Sequence, residues 1–259
     1  MTSALLGLRI DSQASLFYAS SMKKRILVLG NSIDRSVYRP VEEWSRHFGK
    51  AAFDVVQVPE SEPIPSLDRY THVLFTDSNV SFRESEQWCD VEADVVRDAV
   101  DRGLSVLGSG FGHQLLAWAL SGPDSVCRSR IPELGWVAVD IVRTDPLLAS
   151  LPNPWHVYTT HVDDVVAPPP DPWRVLASTS PCAVQVMRYG DQPVWGIQPR
   201  PETAPDEAKF QMEAGIDQYP RYAQQIRQTI IESPVRDDRV APQLVAAFLK
   251  IKAPRTLNS

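Results

Sequence analysis

At 259 residues the chain is long enough for one large domain or two small ones, with a substantial buried core. Apolar residues make up 43% and charged residues 22%, which excludes a disordered chain. A formal charge of −6 offers no electrostatic footprint for a phosphate backbone or an anionic membrane, so neither nucleic acid nor membrane is an expected partner.

Residues 1–21 lack a basic start, and Arg9 and Asp11 interrupt their apolar run, so they read as a disordered extension rather than a signal peptide. From Met22 onward the chain reads as one domain, 22–259. Four short aliphatic runs follow, "RILVLG" (Arg25 to Gly30), "FDVVQV" (Phe53 to Val58), "HVLFTD" (His72 to Asp77) and "LSVLGS" (Leu104 to Ser109). Each has the composition of a strand buried on both faces. Helical patterns separate them: "RPVEEWSRHFG" carries Pro40 near its start and Gly49 at its end. "ESEQWCDVEADVVRDAVDRG" places Trp88, Val91, Val95, Val96 and Ala99 on one face. Strands alternating with helices predict an α/β fold with a doubly wound, mostly parallel sheet.

The second half changes character. "GWVAVDIVR", "WHVYTTHV", "WRVLASTS", "CAVQVMRYG" and "PVWGIQP" are strand-like pieces at short spacing, which predicts a small antiparallel addition. Helices return across 205–252. The three cysteines, Cys89, Cys127 and Cys182, are odd in number and lack metal-ligand spacing. That argues for a reducing, cytoplasmic setting, and no metal or cofactor is expected.

One segment carries chemistry. "GSGFGHQ", Gly108 to Gln114, joins a buried strand to an apolar helix through glycines, and it lacks the Lys-Ser/Thr ending of a phosphate loop. With "PELGW", "DPLLASLP", "THVDDVVAPP" and "VWGIQPRPE" following in order, the chain from about Lys23 to Glu202 resembles the class I glutamine amidotransferases, in particular the amidotransferase domain of GMP synthase. The resemblance implies a flavodoxin-like α/β fold and a Cys-His-Glu triad that hydrolyses glutamine, with the cysteine on a G-x-C-x-G-H-Q elbow.

Carried over by position, the cysteine falls on Gly110 and the histidine on Arg200, and only Glu202 survives. Glycine supplies no attacking atom, and arginine cannot accept a proton at neutral pH. Where the resemblance implies a glycine pair at the oxyanion hole, the chain has Thr76 and Asp77, followed by Ser78; a carboxylate there opposes a developing oxyanion. Arg200 and Glu202 are expected to pair with each other, and His113 to be a neutral packing residue in the first helical turn.

Three readings follow. The first is a homologue that has lost glutamine hydrolysis and binds a small molecule, of carboxylate-bearing type, or a partner protein. Its pocket comprises Gly110, Phe111, His113, Gln114, Asp77, Ser78 and Arg200, with the helix start as an anion-favouring remnant. The second is repurposed acid-base chemistry by Glu202, His161 and Asp163 in a biosynthetic pathway. The third is a non-catalytic subunit of a synthetase complex.

Overall fold

The computed structural model describes residues 24–84, 88–232 and 234–251; the expected extension 1–21 and residue 252 lie outside them. Nine strands form one sheet in the order β2-β1-β3-β4-β9-β8-β7-β5-β6. They are β1 (Arg25–Gly30), β2 (Ala52–Gln57), β3 (His72–Phe75), β4 (Ser105–Ser109), β5 (Val126–Ile141), β6 (Trp155–Val165), β7 (Trp173–Ser178), β8 (Val186–Tyr189) and β9 (Val194–Ile197). The helices are α1 (Pro40–Ser45), α2 (Trp88–Asp101), α3 (Phe111–Ser121), α4 (Pro205–Gln218), α5 (Ala223–Glu232) and α6 (Ala241–Lys250).

The first five strands of that order pair in parallel: the aliphatic runs of the first half predict four of them, although β2 leaves Phe53 and Val55 exposed at the sheet edge, and the fifth is β9, a piece expected in the antiparallel addition. β9 then pairs antiparallel with β8, and antiparallel pairing continues out to β6. The antiparallel part is not the small addition expected. It contributes four strands, and β5 alone runs 16 residues. Its first half, "VCRSRIPEL", is too polar to announce a strand, and its register slips between Arg128 and Glu133.

Alternation sends successive side chains of β1 to opposite faces. Leu27 and Leu29 pack with Ala93, Val96, Phe111 and Leu115 from α2 and α3, while Ile26 and Val28 pack with Trp44, Leu244 and Phe248 from α1 and α6. On α2 the buried face is Cys89, Glu92, Ala93, Val96 and Ala99; of the set read from the sequence Val96 and Ala99 are buried, Trp88 and Val95 pack partly buried against the core, and Val91 is 53% exposed. Small Cys89 and Ala93 let the helix approach the sheet, and the face follows the i, i+3, i+4, i+7 stripe. Cys127 lies in β5.

Candidate functional site

The carboxyl ends of β1, β3, β4 and β9 all deliver their next residues to one place, as parallel strands of an open α/β sheet do. β4 ends at Ser109, and Gly110 turns the chain into α3 with φ +49° and ψ −105°. That combination is open to glycine and strained for other residues. The Gly110 N–H donates to the Ile197 carbonyl at 2.8 Å, which ties the elbow to β9.

A carboxylate fills the space above the elbow, and it belongs to the chain itself. Asp77, two residues beyond β3, accepts the Phe111 N–H at 2.6 Å and the Ser78 N–H at 2.7 Å on Oδ1. Its Oδ2 accepts from Arg200 Nε at 2.5 Å. A Cβ built on Gly110 would lie 2.0 Å from Asp77 Cγ. The helix start and the arginine expected to hold a ligand carboxylate are thus already engaged by an internal one, placed where an anion gains from the helix N-terminus.

Arg200 is fixed from every side. Nη1 donates to Gln211 Oε1 and Nη2 to the Ser78 carbonyl, both at 2.9 Å, and the guanidinium lies 4.2 Å from the centre of the Tyr38 ring. Burial works against its charge, but Asp77, together with Tyr38 and Tyr158 beside it, outweighs burial and the pKa rises. The expected Arg200–Glu202 pair does not form. Glu202 instead accepts from the Tyr38 hydroxyl at 2.6 Å, and its Oε2 has no hydrogen-bond partner among the described residues. Burial, with Glu43 nearby, pushes Glu202 up to about 8, and burial pushes Glu43 up to about 7. Such carboxyls bind protons near neutrality rather than orient an imidazole.

Beyond Asp77 opens a cleft with about 70 Å³ of interior, space for roughly five waters. Asp77, Ser78, Gln114, His161, Asp163 and Arg200 line it; Gly110, Phe111, His113 and Glu202 do not. No cysteine or lysine lines it among the described residues. Gln114 Nε2 donates to the Asp163 carbonyl at 2.8 Å, and Ser78 Oγ to the Asn31 carbonyl at 2.7 Å. Asp163 accepts from Ser81 Oγ at 2.5 Å and lies 3.3 Å from Arg128.

His161 sits between Glu133 and Asp164, each 3.0 Å from a ring nitrogen. Burial opposes its charge, but those two carboxylates win and raise it to about 9. A histidine held as imidazolium between two anions does not serve as a base. His113 is neutral as expected, but burial rather than the helix dipole is the main cause, lowering it to about 3. Its ring packs so closely on β9 that a Cβ on Gly196 would lie 2.3 Å from Nδ1. Tyr38, Glu43, Gln211 and Tyr158 also shape the site, and no sequence motif marked them.

Comparison with known proteins decides the family. The profile described as glutamine amidotransferase class-I matches residues 36–214. The chain belongs to the class I glutamine amidotransferase family. A glutamine-hydrolyzing GMP synthase subunit from Saccharolobus solfataricus is 30% identical over 149 residues, 58% of this chain and 76% of that protein. Its counterpart from Sulfolobus acidocaldarius is 34% identical over 149 residues, with the same shares. Among solved structures, a glutamine amidotransferase from Thermotoga maritima superposes with a TM-score of 0.70 at 20% identity, covering 88% of this chain and 97% of that one. Another, from Methylobacillus flagellatus, gives 0.68 at 18%, covering 92% and 100%. At these identities the structural likeness is one of fold. No helix among the described residues is long and apolar enough to cross a membrane.

Proposed function

We propose that this amidotransferase homologue has lost glutamine hydrolysis and acts by binding. Gly110 and Arg200 stand where the family resemblance places the nucleophile and base, and neither residue can do that work. The observation that carries the reading is Asp77. Its carboxylate holds the Phe111 N–H and Arg200 together and leaves no room for a Cβ at position 110. The site is closed by an internal anion, so binding falls to the cleft beyond it, among Gln114, His161, Asp163 and Arg200. A carboxylate-bearing ligand is disfavoured at the elbow, because Asp77 already holds its partners.

Repurposed acid-base chemistry has less support. Glu202 lies off the cleft, Asp163 is engaged by Ser81 and Arg128, and both ring nitrogens of His161 face carboxylates. A role as a non-catalytic subunit of a synthetase complex is the second reading, favoured by relatives that are themselves GMP synthase subunits.

The test is ammonia release from glutamine by the purified chain, which is expected to stay at buffer background. Release that disappears in Glu202→Ala or Arg200→Ala would overturn the reading. As a companion, Gly110→Cys with Arg200→His is expected to remain inert toward a thiol-trapping glutamine analogue, because Asp77 still blocks the apex. Adding Asp77→Gly to that pair is expected to admit the analogue.

A further inference from the structure

A second group of side chains, outside the elbow and sharing only His161 with the cleft, has the makings of a metal centre. We infer that Glu133, His161 and Cys182 form a binding site for one borderline-soft divalent cation of the zinc or cobalt type. The inference does not rest on the loss of glutaminase activity.

The three residues come from separate parts of the antiparallel half: Glu133 from β5, His161 from β6, and Cys182 from the turn between β7 and β8. All three are buried, and one donor atom from each lies within 4.8 Å of the others. In a tetrahedral shell with metal–nitrogen and metal–oxygen bonds near 2.0 Å and metal–sulfur near 2.3 Å, ligand atoms sit roughly 3.3–3.6 Å apart. Side-chain rotations on the order of 1 Å therefore close the group around an ion, with no strand displaced.

The surrounding residues already do what supporting residues do at metal centres. Glu133 is oriented by Thr179, whose Oγ1 donates to Oε1 at 2.8 Å, and by the Gln185 amide, which donates to Oε2. Each nitrogen of His161 has a carboxylate oxygen at 3.0 Å, from Glu133 or Asp164. A metal held by Glu133 and Nε2 leaves Nδ1 facing Asp164, a carboxylate of the kind that supports metal-bound histidine. With three protein ligands, the fourth position of a tetrahedral shell falls to a water.

The donor set selects the ion. One thiolate sulfur, one imidazole nitrogen and one carboxylate oxygen suit zinc or cobalt(II), whereas magnesium and calcium take oxygen ligands. Metal binding to a thiol and an imidazole displaces protons in the ordinary way. The wide sequence separations of these ligands explain why the cysteine spacing carries no metal signature.

The test uses the full chain, stripped with a chelator and titrated with cobalt(II). The expected result is one cobalt per chain, with thiolate-to-cobalt charge-transfer absorption and the visible bands of a tetrahedral ion. That absorption is expected to vanish in Cys182→Ser and to survive in Cys127→Ser, which alters the partly exposed thiol of β5. Glu133→Gln, nearly isosteric, is expected to weaken cobalt binding at least tenfold, and zinc is expected to raise the Tm of the wild-type and Cys127→Ser chains but not of Cys182→Ser. Substoichiometric cobalt or an absent charge-transfer band in the wild-type chain overturns the proposal whether or not the variants fold. So does a band that persists in Cys182→Ser or is lost in Cys127→Ser.

Discussion

The internal carboxylate makes a quantitative prediction about Gly110. Replacing it by alanine sets a Cβ 2.0 Å from Asp77 Cγ and 2.2 and 2.3 Å from its two oxygens. Carbon contacts settle near about 3.5–4.0 Å, so the carboxylate must retreat by roughly 1.5 Å. That takes it out of reach of Phe111 N–H, at 2.6 Å, and of Arg200 Nε, at 2.5 Å. Hydrogen bonds to charged groups contribute about 1.5–3 kcal/mol each, and a left-handed non-glycine residue costs a further ~1–2 kcal/mol. Gly110→Ala is therefore expected to destabilise by about 4–8 kcal/mol. In an Asp77→Gly background the alanine meets no carboxylate, so only the backbone term remains. Asp77→Gly itself strands buried Arg200 and costs about 3–5 kcal/mol. The coupling energy of the cycle is then about 3–6 kcal/mol, at or above the upper end for neighbouring residues. Urea unfolding of the four proteins, read by circular dichroism, measures it. Additivity within about 0.5 kcal/mol would refute the argument.

Three further outcomes follow from buried polar groups. Burial raises Glu43 to about 7 and Glu202 to about 8, so the folded chain keeps protons that the unfolded chain has released. The stability these carboxyls contribute is full below their ordinary pKa of about 4.5 and is lost as pH rises through 7 to 8. Tm is expected to fall between pH 5 and 9, by an amount on the order of a few kcal/mol in stability, and Glu202→Gln is expected to flatten the upper part of that fall. An unchanged profile in Glu202→Gln would contradict the assignment. Tyr38→Phe removes the donor at 2.6 Å from Glu202 while keeping a ring under Arg200, and should cost about 1–3 kcal/mol by thermal unfolding at pH 6. Asp145 accepts from Leu147 N–H at 2.9 Å, Trp195 Nε1 at 3.0 Å and Arg188 Nη1 at 3.0 Å; Asp145→Asn should cost about 2–3 kcal/mol, and a change below about 0.5 kcal/mol would count against the cluster.

The parallel half of the fold was legible because its strands are continuous aliphatic runs, and "RILVLG" matches β1 residue for residue. The antiparallel half was legible only where alternation is clean. Val126 to Leu134 carries Pro132 and alternates poorly, so half of the longest strand leaves no signal. The helix containing Trp88 shows how one residue of a face is misjudged: Val91 is exposed while Cys89 and Ala93 are buried, because close packing selects small residues at the interface. At the site, the anomaly was readable in Gly110, Arg200 and Asp77 individually. Their arrangement was not, since Asp77 and Arg200 lie 123 positions apart and Tyr38 and Glu202 lie 164 apart. No local pattern reports a pairing over such separations.

The three anomalies make more sense as one exchange than as three. An arginine cannot shed its proton, so an arginine 7% exposed at the end of β9 requires an anion against it. Asp77 supplies that anion, and its second oxygen gains the Phe111 N–H at the helix start. A carboxylate in that position excludes any side chain at the apex, which leaves glycine at 110. The dependence runs backward as well. A thiol at 110 needs Asp77 gone, and removing Asp77 leaves Arg200 as an unpaired buried charge. Every single reversal therefore passes through either a collision or a stranded cation, each worth several kcal/mol against a total stability of about 5–15 kcal/mol. Physical chemistry alone is enough to hold such a site in its closed form.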